Sequence, residues 1–86
     1  MATVKERVIS VTAKVLQLDP AEIKLEDEFG ADLGAESVQS IELLAMFDEE
    51  FGIEMEEDAA LAVSQVGNAI DFIIRTCAEQ GVDVEE

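Results

Sequence analysis

The side chains of this sequence that can do chemistry are carboxylates, a few hydroxyls and one thiol, because histidine, tyrosine and tryptophan are all absent. The usual general bases and activated nucleophiles are therefore missing, and Cys77 falls on an apolar helical stripe. Paired acids can do glycosidase-like work only in a cleft that holds a sugar and raises one pKa, and 86 residues offer no evident one. Solvated surface charge is the simpler reading of the acids. A calcium loop also fails. Counted from Asp27, its third and fifth places are Phe29 and Ala31, and Asp32 takes the sixth, where glycine is required. Counted from Asp32, Gly34 takes the third place and Val38 the seventh. Gly30 and Gly34 are spaced for neither a dinucleotide fingerprint nor a P-loop, and no lysine follows them. No dedicated metal site is expected. The remaining polar feature is Ser37, where the glycine-bearing loop turns into a helix. A plain N-cap is the ordinary role for such a serine. A phosphodiester on its hydroxyl would lie near the helix's positive end, where free N–H groups favour an anion.

The elements that position these residues are read from spacing. Thr3 and Glu6 form a capping box, and Val4, Val8, Val11, Val15 and Leu18 then recur at alternating steps of four and three. This first helix is expected to end at Asp19-Pro20, with Asp19 capping a brief turn through Ile23. A loop from about Lys24 to Ala35 follows, with Gly30 and Gly34 for its turns and Phe29 and Leu33 as apolar pins. A second helix spans Glu36 to Phe51 and stops at Gly52. On it Leu43, Leu44, Phe47 and Phe51 share a core arc, facing Val8, Val15, Ile70 and Ile73. Val38, Ile41 and Ala45 fall on another arc beside Glu42 and Glu49, turned away from that core. A short acidic helix covers Glu57 to Ala62, and Ser64 is expected to cap a last helix with Val66, Ala69, Ile70, Ile73 and Cys77 on one face. The tail after Gly81 reads as frayed. The expected fold is all-α: a small four-helix bundle of three longer helices and one short third helix, with a long ordered loop between helices one and two. Residues 1–86 are expected to form a single domain.

Charge narrows the partners. The chain carries 5 basic and 21 acidic side chains for a net −16, and from Leu25 to Ile74 fourteen carboxylates meet no Lys or Arg. Such a surface repels phosphate backbones and anionic headgroups, so neither nucleic acid nor membrane is an expected partner. It attracts proteins with basic patches. One cysteine, no apolar run near the ~20 residues of a membrane span, and no signal-like start lead to the expectation of a reducing cytoplasm.

The residues around Ser37 carry a further signal. Asp32-Leu33-Gly34-Ala35-Glu36-Ser37-Val38 closely resembles the Asp-Leu-Gly-Ala-Asp-Ser-Leu signature of acyl carrier proteins. Glu42-Leu43, Asp48-Glu49-Glu50-Phe51 and Ala69-Ile70-Asp71-Phe72-Ile73 are similar to that family's second and fourth helices, and Glu6-Arg7-Val8 to its opening. The resemblance covers nearly the whole chain, and it displaces the plain N-cap reading of Ser37. It implies a phosphopantetheine arm joined to Ser37 through a phosphodiester by a phosphopantetheinyl transferase using coenzyme A. Acyl chains would be held on the arm's thiol as thioesters, and the protein itself would catalyse nothing. The resemblance also makes the second helix the recognition helix. Partner binding then falls to Val38, Ile41, Glu42, Ala45 and Glu49, with Glu36 beside the serine.

Implied partners are the transferase, acyl synthases or transferases of fatty acid, lipid or polyketide pathways bearing basic patches, and acyl chains folded back between the second helix and its neighbours. A monomer is expected. Glu36 and Val38 depart from the usual Asp and Leu, which leaves room for a specialised partner set. Glu56 stands where many members have proline, so a less rigid entry to the third helix is expected. Two other readings compete: a carrier for another activated acid such as an amino acid, and an acidic cation-binding or interaction protein. Peptidyl carriers generally place histidine or another residue, not an acid, before the serine.

Overall fold

The computed structural model describes residues 2–86 and contains α1 (Val4–Leu16), a 3-10 turn (Pro20–Glu22), α2 (Ser37–Phe51), α3 (Glu57–Leu61) and α4 (Val66–Glu79). Three longer helices and a short third one build the expected all-α fold. Among the described residues the one β feature is an isolated bridge between Glu28 and Gln65.

The capping box starts α1 as its spacing requires. The Thr3 hydroxyl accepts from the Glu6 N–H at 3.2 Å, and Glu6 Oε1 accepts from the Thr3 N–H at 2.9 Å. Those hydrogen bonds from Thr3 hold the Glu6 carboxyl below its ordinary range. The far end falls earlier than Asp19-Pro20 suggests. Gln17 takes a left-handed conformation at φ 58°, and its N–H and that of Leu18 both turn back to the Ala13 carbonyl. The reason lies in the next turn: Asp19 must be extended to cap Pro20–Glu22, so the chain leaves the helix two residues sooner.

Val4, Val8 and Val11 of α1 are buried with Leu43, Phe47 and Phe51 of α2 and with Val66, Ala69, Ile70, Ile73 and Cys77 of α4. Leu44 and Val15, expected on core faces, are only half-buried. Arg7 ties α1 to the end of α2. Its Nε meets Glu50 Oε2 at 2.8 Å, its Nη2 donates to the Glu50 carbonyl at 2.7 Å, and its guanidinium lies 4.3 Å from the Phe51 ring centroid. With no basic residue in its own last turn, α2 takes from Arg7 the positive charge its C-terminal carbonyls favour.

The long loop is ordered through backbone pairing with the entry to α4. Phe29 and Ile23 are buried beneath it. The Phe29 N–H donates to the Ser64 carbonyl, while Val66 and Gly67 donate to the carbonyls of Asp27 and Leu25, each at 2.9 Å. This corrects the expected cap on α4. Its N-cap position is Gln65, which makes no side-chain cap, because loop carbonyls already satisfy the first N–H groups that a serine hydroxyl would otherwise serve. Gly67 permits the approach: a Cβ there would stand 3.2 Å from the Leu25 carbonyl oxygen.

The tail departs from expectation, and the start of α3 shows what Glu56 does there. The tail after Gly81 is packed rather than frayed: Val82 and Val84 are half-buried against the core, and the Glu85 carbonyl accepts from the Val4 N–H at 2.7 Å. That N–H is one of the donors an α-helix leaves unpaired at its start. At α3 the Glu56 carboxylate is the N-cap, accepting from Asp58 at 3.3 Å and Ala59 at 2.7 Å, so the residue in proline's usual place holds the helix start by hydrogen bonds.

Candidate functional site

The turn into α2 places Ser37 as the first helical residue, with Glu36 extended at the N-cap position. Ser37 is therefore not the cap. The Gln39 side chain reaches back to accept the Glu36 N–H at 2.9 Å, and Asp32 folds inward to accept the Glu28 N–H at 2.8 Å. Gly34, at φ 76°, turns the chain between them. The Ser37 side chain is left exposed, without a hydrogen bond to any other described residue, at the helix end where N–H groups point outward. These features fit a covalent phosphodiester: the hydroxyl is accessible, no protein group competes for it, and no acidic residue sits within the first turn of α2. No general base adjoins it.

Val38 is 74% exposed and Ile41 51%, and Glu36, Glu42, Ala45 and Glu49 are exposed as well. Steps of three, four and seven from Val38 to Ile41, Glu42 and Ala45 put these residues on one side of α2, running away from Ser37. Apolar side chains that large, left in water beside carboxylates, are unused by the core. The one ion pair among the described residues is Arg7–Glu50, so the carboxylates of this stripe are uncompensated.

Behind the stripe, between α2, α3 and α4, lies a cavity of about 150 Å³. Leu43, Leu44, Phe47, Phe72 and Ile73 line it, with Met55, Leu61 and Val63 from the segment around α3. Ser40, one helical turn beyond Ser37, and Ser64 are its hydroxyl-bearing walls. Thr12 and Thr76, the buried hydroxyls of α1 and α4, donate to carbonyls four residues back; Ser40 makes no such bond. The core arc and the exposed arc of α2 were both legible in its spacing. The cavity was not, nor the contribution of Met55 and Val63, because neither belongs to a periodic stripe.

The family model described as "Phosphopantetheine attachment site" matches residues 6–73. The chain is thus of the phosphopantetheine-carrying class. It is 38% identical over 78 residues to an "Acyl carrier protein" of Caulobacter vibrioides, covering 91% of this chain and 100% of that one. It is 41% identical over 73 residues to the protein of the same name from Phenylobacterium zucineum, covering 85% and 92%, and 43% over 68 residues to that of Clostridium acetobutylicum, covering 79% and 88%. The chain belongs to the acyl carrier protein family, whose members are carriers and not enzymes.

Proposed function

We propose that residues 1–86 form one carrier domain whose Ser37 bears the phosphopantetheine arm. The observation that carries this reading is an exposed, unbonded serine hydroxyl opening α2, at the head of an exposed apolar and acidic stripe. The arm's thiol supplies the thioester on which an acyl group travels. Ser37 contributes an accessible oxygen to a transferase that must bring its own base, since none stands beside it. Val38, Ile41 and Ala45 give a partner apolar contact, and Glu36, Glu42 and Glu49 give it charges to pair with basic residues. The cavity gives the acyl group shelter from water within reach of Ser40. The protein works as a monomer in a reducing cytoplasm, where its one cysteine, buried as it is, has no disulfide to make.

The test is intact mass after incubation with coenzyme A and a phosphopantetheinyl transferase. Wild type is expected to gain one phosphopantetheine, and Ser37→Ala none. Gain of the arm by the alanine variant would move the site to another hydroxyl, Ser40 first.

A further inference from the structure

Ser37 has no hydrogen bond to another described residue that would fix where its hydroxyl stands, so its position is inherited from the backbone on either side. Upstream the chain is anchored as far as Ala35. The Ala35 N–H donates to the Phe29 carbonyl at 2.8 Å, and Ala35 packs half-buried against the core. Phe29 is itself buried and donates its N–H to the Ser64 carbonyl at 2.9 Å. Downstream, α2 begins with the Ser40 N–H on the Glu36 carbonyl, also at 2.9 Å.

Glu36 is the joint between these two fixed pieces. It is exposed and extended, at φ −87° and ψ 168°. Among the described residues its N–H has one acceptor, Oε1 of the half-buried Gln39, at 2.9 Å. An exposed N–H that lost this partner would turn to water, so the bond adds only modestly to stability. What it removes is freedom. With the N–H and the carbonyl of Glu36 both held, the backbone that carries Ser37 is held with them.

We propose that Gln39 is a positioning residue for arm transfer, aiming the Ser37 hydroxyl by holding the Glu36 N–H. The proposal rests on the Ser37 reading above. In the transfer the Ser37 oxygen attacks the phosphorus of coenzyme A nearest the pantetheine. A P–O bond forms there, the bond to the second phosphorus breaks and adenosine bisphosphate leaves, while the hydroxyl proton passes to a base of the transferase. Such a displacement needs the attacking oxygen in line with the leaving group, and an error of about 1 Å in its place costs up to about 100-fold in rate. Gln39 itself touches none of the reacting atoms.

The test measures kcat and KM of a phosphopantetheinyl transferase with the full chain as the carrier substrate and coenzyme A in excess. Gln39→Ala is expected to lower kcat about tenfold and to leave KM nearly unchanged, because the outer stripe of α2 is intact. Gln39→Met keeps the length of the side chain with only a weak acceptor, and is expected to match alanine, which separates loss of the bond from loss of packing. Gln39→Glu keeps an oxygen acceptor in the same place and is expected to restore kcat; what its added charge does to docking falls on KM. Amide hydrogen exchange at Glu36 follows the bond directly, with protection lost in the Ala and Met variants and regained in Glu. Melting temperatures of the arm-free variants are expected to fall by no more than about 5 °C, so all are folded in the assay. Alanine and methionine variants as fast as wild type overturn the proposal, as does a glutamate variant as slow as they are. A change in KM alone also overturns it, making Gln39 a docking contact. Intact mass separates the two levels: a wild type that gains no arm, or a Ser37→Ala variant that gains one, fails the carrier reading, whereas arm transfer indifferent to Gln39 fails only this proposal.

Discussion

Ser37 stands one residue inside α2 and not at its cap, so modification and stability are separable at this position. Its replacement by alanine removes no hydrogen bond to another described residue and should cost within about 0.5 kcal/mol, the ordinary range for a surface site. Cys77 is the complementary case. It is fully buried, and burial pushes its thiol pKa above the ordinary 9.0, with Arg7 drawing it only partly back. The polypeptide's own thiol is therefore protonated and out of reach at neutral pH, which leaves thioester chemistry to the arm. Iodoacetamide should label the folded, arm-free protein at no site, the same protein in denaturant once, and the folded arm-bearing protein once, all read by mass. The pH consequence has a definite sign. Because the folded thiol holds its proton more tightly, the unfolded chain ionises first. Stability is untouched below 9.0 and falls as pH climbs above it, which urea midpoints on either side of that pH will show.

At the scale of elements, α2 has two unlike faces. Leu43, Phe47 and Phe51 belong to the core, and the outer stripe from Val38 to Glu49, proposed above as the partner face, is exposed. Charge at the rim of an interface acts mainly on how fast partners meet. Reversing Glu42 and Glu49 to Lys should therefore slow association with the transferase by roughly tenfold or more at low salt, with a smaller effect on dissociation. Stopped-flow rates for wild type and variant over a salt series will show it: the wild-type rate falls toward that of the variant as salt rises. Rates indifferent to both changes would remove electrostatic docking from the account. Exposed positions on α2 suit this comparison because the helix is secured elsewhere, by Gly52 at its end and by Arg7 on Glu50.

The whole molecule measures 32 × 29 × 19 Å and carries a net charge of −16. In about 0.01 M salt the screening length is about 30 Å, so nearly every carboxylate feels every other; at about 0.1 M it falls to about 10 Å. Among the described residues one ion pair offsets that repulsion. Raising monovalent salt between those limits should lift the melting temperature by several degrees, and divalent cations should do so at lower concentration. A melting temperature level across that range would mean that the charges are too dispersed to oppose folding.

What the amino-acid order determined alone is whatever depends on neighbours within a turn or two: the Thr3–Glu6 box, the Asp19 cap, the stop at Gly52, the short α3, and the two arcs of α2. The signature at Asp32–Val38 belongs with these, since a motif is local by nature. What tertiary structure decided is where unpaired backbone groups and unfilled volume ended up. Ser64 was a sound candidate to cap α4, yet the carbonyls of Leu25 and Asp27 arrive from some forty residues away to take those N–H groups. The tail had no periodic pattern to reveal it, but the Val4 N–H needed an acceptor and found the Glu85 carbonyl. Gln80 gave no sign in its own neighbourhood of holding Glu54, 26 residues back. The cavity is the clearest instance. Apolar periodicity says which side chains turn inward, but whether they meet or leave a gap depends on the angle and depth at which the helices dock, and no local interaction encodes that.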